Sequence, residues 1–418
     1  MNLSAEIISV GTEILLGEIT NTDAVAVARA LSELGINAYY QTVVGDNPDR
    51  LESAVRNAKE RADIIITTGG LGPTFDDLTK VVSARAFGKE LVFSEDALLK
   101  IEAYFKKRGR KMTENNKRQA YLPEGCTVFV NDWGTAPGCA ISENGKILIM
   151  LPGPPNECEP MIKYRMIPYL KKLTSSHLVS HGIHIYGMGE SEVESKIASF
   201  AETMTNPTLA PYAKDGEVVL RVTGKADDEK EADAMTRPVI ERVRDILGDV
   251  VYSVDIGTLH ETAFGVLREK GLTLATAESC TGGLVSKLIT DISGASEVFY
   301  GGVCAYNNEI KEKVLGISHG LLEKYGAVSR ECAEALAQSA CEKFGTDAGI
   351  GVTGWADPET GDEKNPGGTV YVAVCLGGKT TVSKIYEPKS RIHSRNRAAQ
   401  EAFNILRKEA EKYERKQN

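Results

Sequence analysis

Histidine is scarce in this chain, six in 418 residues. None falls between Ser293 and Gly316, where a serine, a tyrosine and a lysine lie close together. That stretch therefore has no Ser–His relay within it, and an amine is left as the activator of a hydroxyl. Long apolar runs are missing too: nothing approaches the ~20 residues of a membrane span. The opening MNLSAEIISVGTEILLG lacks the basic and long apolar regions of a signal peptide. The eight cysteines include no CxxC pair with a matching His or Cys set, so they read as reduced thiols of a cytoplasmic protein. Net positive charge is absent: −9 overall argues against direct nucleic-acid binding. The basic run KKRGRK, Lys106 to Lys111, reads either as a solvated helix end or as an arm near a phosphate ligand.

What is present points to about three α/β-type domains. In residues 1–172, EIISV, NAYYQTVV and DIIITT read as strands alternating with helical stretches such as TDAVAVARALSELG. That order predicts a parallel sheet with helices on both faces, to which KILIML adds a further buried strand. Residues 173–255 read as a small α+β unit with a long charged helix that Pro238 should kink or split. The unit has no GXXG loop, so a spacer or dimerisation role is expected, and with it a homodimer. Residues 256–418 read as a three-layer α/β domain, with TLATA, EVFYGGVCAY, DAGIGVTG, GTVYVAVCL and TTVSKIY as strands.

Two glycine-rich turns carry chemistry. In TTGGLGPTFDDLTK, neither a GxGxxG fingerprint nor a Walker loop, Gly69, Gly70 and Gly72 follow a buried strand. Their N–H groups, with the next helix's N-terminus, can hold a phosphate. Asp76 and Asp77 beside it make sense if a divalent cation bridges them to the phosphate. The alternative is a plain turn with Asp76 as helix N-cap. Glu13 and Asp46 follow neighbouring strands and could join Asp77 near one metal, and Gly153 in LPGPPNE lies at the same edge. The second turn, TAESCTGG, places Ser279, Thr281, Gly282 and Gly283 at a helix start, an anion cradle of the same kind. Beyond it, Ser296 precedes Tyr306 and Lys311, and a desolvated Lys311 could be a neutral base. The bland alternative is a capping serine, a core tyrosine and a surface lysine. Arg391 opens the last helix, able to meet a phosphate or carboxylate.

SVGTEILLGEITNTD, TTGGLGPTFDD and LPGPPNE resemble the amino-terminal domain of the competence/damage-inducible protein A (CinA) family, itself similar to molybdopterin-binding domains. AESCTGG, GAS, AYNNEIK, GAVS, VTG and PGGTVYVAV, in that order, resemble the carboxy-terminal CinA domain, whose stand-alone relatives are nicotinamide-nucleotide (NMN) amidohydrolases. The resemblance implies a bifunctional hydrolase of pyridine nucleotides. In front, a metal-dependent ADP-ribose pyrophosphatase would cradle pyrophosphate on Gly69, Gly70, Gly72 and Gly153. Its divalent ion would sit on Asp77, helped by Asp46 and Glu13. At the rear, a cofactor-free amidase would convert NMN to nicotinic acid mononucleotide. Ser296 would attack, Lys311 would be the base, Tyr306 would orient it and Thr353 would lie near the carbonyl. Ser279, Thr281, Gly282 and Gly283, with Arg391, would hold the phosphate or ribose. Two stretches depart from the family pattern: TGWADP replaces TGIAGP, and KSR replaces GDR. These departures favour a rival reading, a non-catalytic nucleotide- or pterin-binding scaffold of DNA uptake or repair, which the intact Ser296, Tyr306, Lys311 and Arg391 oppose.

Overall fold

The computed structural model describes residues 3–173, 177–214 and 216–414. The chain forms two compact units, one from Met1–Ser180 with Thr223–Thr236 and the other from His181–Val222 with Arg237–Asn418.

The first unit is built on strands β1 Ser4–Val10, β2 Asn37–Val44 and β3 Ile64–Thr68, a ribbon of β4 Leu91–Phe93 with β5 Tyr121–Pro123, and then β6 Thr127–Phe129, β7 Gly138–Glu143 and β8 Lys146–Leu151. The main sheet runs β2-β1-β3-β8-β7-β6. Its first four strands are parallel, as expected, and β7 and β6 add an antiparallel edge, so the sheet is mixed. The cause is local: Asn144 and Gly145 take φ of 52° and 77°, the two-residue turn that reverses a strand directly. Buried Ile64 and Ile66 pack on one face with the helix Thr22–Glu33, and Ile65 packs on the other with Pro48–Arg61. Strand order reverses between β1 and β3, which opens a crevice at their carboxyl ends.

Strands β9 His177–Tyr186, β10 Thr208–Lys214, β11 Glu217–Ala226 and β12 Val251–Val254 form a sheet ordered β10-β11-β9-β12. The helix Glu229–Leu247 runs through Pro238, so of the expected kink or split the split does not occur. Ile240, Val243 and Leu247 pack against Ile183, Ile185 and Leu220. Burying three such side chains, at about 1.5–3 kcal/mol each, outweighs the roughly 3 kcal/mol cost of an interior proline.

The second unit carries β13 Leu274–Glu278, β14 Phe299–Cys304, β15 Ala348–Gly354, β16 Thr369–Leu376 and β17 Lys379–Tyr386, ordered β14-β13-β15-β16-β17. The first three are parallel and the last two antiparallel. Ile350 and Val352 face the helices Leu259–Glu269 and Arg391–Lys412. Ala275 and Ala277 face the other way, toward the helix Arg330–Phe344. Gly349 and Gly351 let that helix lie close, since a Cβ at either would come within 2.2–2.3 Å of a helix carbonyl.

Candidate active site

Because β13, β14 and β15 are parallel, Ser279, Ala305 and Thr353 emerge at one edge of the second unit's sheet. Side chains alternate along a strand. Ser279 therefore continues the Ala275–Ala277 row on the face toward Arg330–Phe344, and Thr353 continues the Gly349–Gly351 row beside it. The short helix Asn308–Lys313, capped by Asn307, delivers Lys311 to the same place. Its Nζ donates to Ser279 Oγ at 3.2 Å and to the Ala305 carbonyl at 3.0 Å. Lys311 is 2% exposed and Ser279 8%. Burial draws the lysine pKa below its ordinary value, opposed only in part by the thiols of Cys332, Cys280 and Cys304. An amine whose charged form is disfavoured, bonded to a hydroxyl, has the composition that a nucleophile–base pair requires.

Ser296 is not part of it. It lies in the exposed turn Ala295–Glu297 ahead of β14. The next residue but one, Val298, accepts from Leu274 N at 2.8 Å, at the opening of β13. Lys311 works at the far ends of the same two strands, and the length of β14 separates them, roughly 17 Å at the usual strand rise. In this structure Lys311 is thus hydrogen-bonded to Ser279, and the expected contact with Ser296 is not made. Tyr306 follows the inward-facing Ala305 and turns the other way, where the Arg391 guanidinium donates to its hydroxyl. It orients Arg391 rather than Lys311. The Thr353 hydroxyl donates to the Ala327 carbonyl at 2.6 Å and so braces the loop below the site.

The expected anion cradle is filled by the protein itself. Glu278 Oε2 accepts from the amides of Gly283 and Val285 at 3.0 and 3.1 Å, and Oε1 from the Ser286 amide and hydroxyl at 2.8 and 2.6 Å. Gly282 and Gly283 take φ of 61° and 92° to allow this turn. Thr281 is fully buried, and its carbonyl accepts from Arg395. These residues shape the turn, and the Arg391 side chain stands exposed. Sequence reading passed over Glu278, whose signal was a carboxylate opening a glycine-rich strand-to-helix turn. The Cys280 thiol in that turn is pushed up to about 12 by burial, which makes it a poor nucleophile.

Both departures from the family pattern have local roles. Asp357 Oδ1 accepts from the Glu359 amide at 3.1 Å, a turn-forming contact. Ser390 caps the last helix by accepting from His393 N at 3.2 Å, so Arg391 keeps its place without the Gly-Asp turn.

In the first unit, a cleft of about 510 Å³ opens at the carboxyl ends of β1, β3 and β8, and Gly69, Gly70, Gly72, Gly153, Glu13, Asp46 and Asp77 all line it. Gly69 has φ 92°, and a Cβ there would stand 2.3 Å from the Val10 carbonyl. Asp77 turns onto its own loop: Oδ1 accepts from Gly72 N and Oδ2 from Thr74 N, both at 2.8 Å. Asp46 Oδ2 accepts from the Thr12 amide and hydroxyl at 3.0 and 2.8 Å. Among the described residues no three His, Cys, Asp or Glu side chains converge to hold a metal. Glu13, Asp46 and Asp77 thus share a cleft without converging on one point. Lys80, also unforeseen, is buried behind this turn and donates to the Gln119 and Tyr121 carbonyls at 2.9 and 3.1 Å. Burial lowers its pKa to about 8. The basic run at 106–111 closes the helix Glu95–Lys107, and Arg108 stacks on Tyr104.

Residues 6–172 match the family model "probable molybdopterin binding domain", 180–253 "damage-inducible protein CinA KH domain" and 257–410 "CinA C-terminal domain". A CinA-like protein of Kosmotoga olearia is 48% identical over 97% of this chain and 98% of its own. Another, of Dictyoglomus thermophilum, is 46% identical over 97% and 99%. A solved CinA structure from Thermoplasma acidophilum, described as of unknown function, is 38% identical over 38% of this chain and 94% of its own, with a TM-score of 0.36.

Proposed function

The chain belongs to the CinA family, and within it we propose that the second unit is a serine–lysine amidohydrolase that deamidates nicotinamide mononucleotide. One observation carries the reading: a buried lysine with a lowered pKa bonded at 3.2 Å to a serine at a strand-end turn. Neutral Lys311 takes the Ser279 proton as Oγ attacks the carboxamide carbon. It then gives that proton to the departing nitrogen, releasing ammonia and leaving an acyl ester on Ser279. Water, deprotonated by the same amine, cleaves the ester to the carboxylic acid and restores the serine. The Arg391–Tyr306 pair is suited to the substrate's phosphate, since the guanidinium is exposed and its direction is fixed by the tyrosine.

For the first unit, the reading is a binding cleft for a phosphate-bearing nucleotide of the ADP-ribose type. Its support is the cleft's volume and its position where strand order reverses. No hydrolytic step follows from the carboxylates as they are engaged.

The test is ammonia and nicotinic acid mononucleotide formation from NMN. Ser279→Ala should lose at least ~1,000-fold, as removal of a nucleophile does, while Ser296→Ala stays within about twofold of wild type because it stands outside the pair. Equal rates in Ser279→Ala and wild type would sink the assignment. Calorimetric titration with ADP-ribose, with and without chelator, checks the front cleft.

A further inference from the structure

Trp355 stands where the family pattern has an aliphatic residue, and its placement is fixed. Its amide donates to the Thr369 carbonyl at 2.9 Å and its carbonyl accepts from Gly368 N at 2.7 Å, so a bulge with Gly368 at φ 88° carries the β15–β16 pairing one residue past the strand. Ala356 beyond it is buried, and the Asp357 turn closes the loop. By alternation, Trp355 continues the row Gly349, Gly351, Thr353, the row on the nucleophile's face. Ser279 N donates to Val352 O at 2.9 Å, which sets Ser279 beside Thr353. One strand spacing and two residues then bring the Trp355 Cα to about 8 Å from that of Ser279. Trp355 is 36% exposed at the rim of a buried Ser–Lys pair. Among the described residues no aromatic ring or cation contacts it.

We infer that Trp355 determines specificity at this site: its indole stacks on a flat, positively charged ring carrying the carboxamide that Ser279 attacks, and so selects N-alkylpyridinium carboxamides over aliphatic ones. The inference rests on the amidase reading for the identity of the reacting group. A carboxamide seated at Ser279 carries its ring outward from the strand ends, toward the rim where Trp355 stands. Trp is the best of the side-chain faces for a cation, and a pyridinium combines that charge with a stacking plane. An aliphatic side chain at 355 would offer contact area but no quadrupole, which is why the substitution bears on selection rather than on the bond-breaking step.

The chain holds two tryptophans, and Trp133 stacks on Tyr164 in the first unit. Trp133→Phe therefore leaves the Trp355 indole as the sole tryptophan reporter. In that background NMN should quench indole fluorescence saturably and ribose 5-phosphate should not. The same quenching should persist in Trp133→Phe/Ser279→Ala, where no turnover occurs. Against NMN, Trp355→Ile should raise KM about tenfold with kcat within about twofold, and Trp355→Phe should recover to within about threefold. An unchanged KM in Trp355→Ile, or no quenching in a protein that releases ammonia, overturns the inference. If no ammonia is released from NMN but quenching still saturates, the amidase reading falls and the ring platform stands. Absence of both removes both.

Discussion

The two units solve the end of a buried strand in parallel ways. Each breaks into a glycine-rich turn, each fills the turn's amides with its own carboxylate, and each buries a lysine close by. In the first unit Asp77 takes Gly72 and Thr74, and Lys80 donates to the carbonyls of Gln119 and Tyr121. In the second, Glu278 takes Gly283, Val285 and Ser286, and Lys311 donates to one carbonyl and one hydroxyl. The difference is that single hydroxyl. A carbonyl can only accept, so Lys80 is a strut across backbone that would otherwise lack donors. Ser279 can give up a proton, so Lys311 can act as a base. Burial with a lowered pKa marks a lysine as unusual, and the partner's chemistry decides whether it is structural.

Replacing each lysine by methionine breaks the comparison most sharply. Lys311→Met should lose at least ~1,000-fold in ammonia release and keep its folding transition, because an apolar chain suits that burial. Lys80→Met should leave ammonia release unaffected; a comparable loss there would mean the two lysines are not distinct. Next in size is a pH effect. With Lys80 at about 8 in the folded state against 10.5 for its ordinary value, the unfolded chain binds more protons between those values. First-unit stability should therefore rise with pH across pH 8–10.5, by on the order of 3 kcal/mol from this group. Denaturant titrations of wild type and Lys80→Met should diverge over that window, and parallel curves would remove the claim. Lys311 behaves in the same sense: kcat/KM for NMN should climb with pH to a plateau reached below the ordinary lysine range. A rate that falls as pH rises would contradict a neutral-amine base.

The carboxylate plugs test the resemblance at smaller scale. Glu278→Gln presents an amide nitrogen to donors and should cost roughly 1.5–3 kcal/mol of turn stability. Ammonia release should drop about tenfold or more through misplacement of Ser279. Asp77→Asn should leave ammonia release at the wild-type rate. Smallest is Ser390→Ala, which removes a helix cap at about 1 kcal/mol. A modest fall in melting temperature with a raised KM for NMN is the expected pattern, since Arg391 is the next residue.

Much of this was legible from the chain. Runs such as DIIITT and KILIML marked buried strands, and the spacing in TDAVAVARALSELG marked a helix, because each pattern matches the geometry that buries it. The antiparallel β7–β8 hairpin was also written in the sequence, as Asn144-Gly145, but it was masked by the surrounding strand–helix alternation. Lys311 was singled out by the family resemblance, in a stretch without histidine. Its partner was not found, because Ser279 is 32 residues away and only the parallel register of β13 and β14 brings the two together.

By itself the sequence determined the strands, the helices and their caps, the glycine-rich turns, and a serine, tyrosine and lysine stretch without histidine. These are properties of neighbouring residues. The tertiary structure decided which serine meets the lysine, which carboxylates plug the turns, and that Glu13, Asp46 and Asp77 share a cleft without gathering around a point. Each of those depends on strand register, where a shift of one residue changes a side chain's face and the length of a strand separates its two ends by more than a side chain can reach.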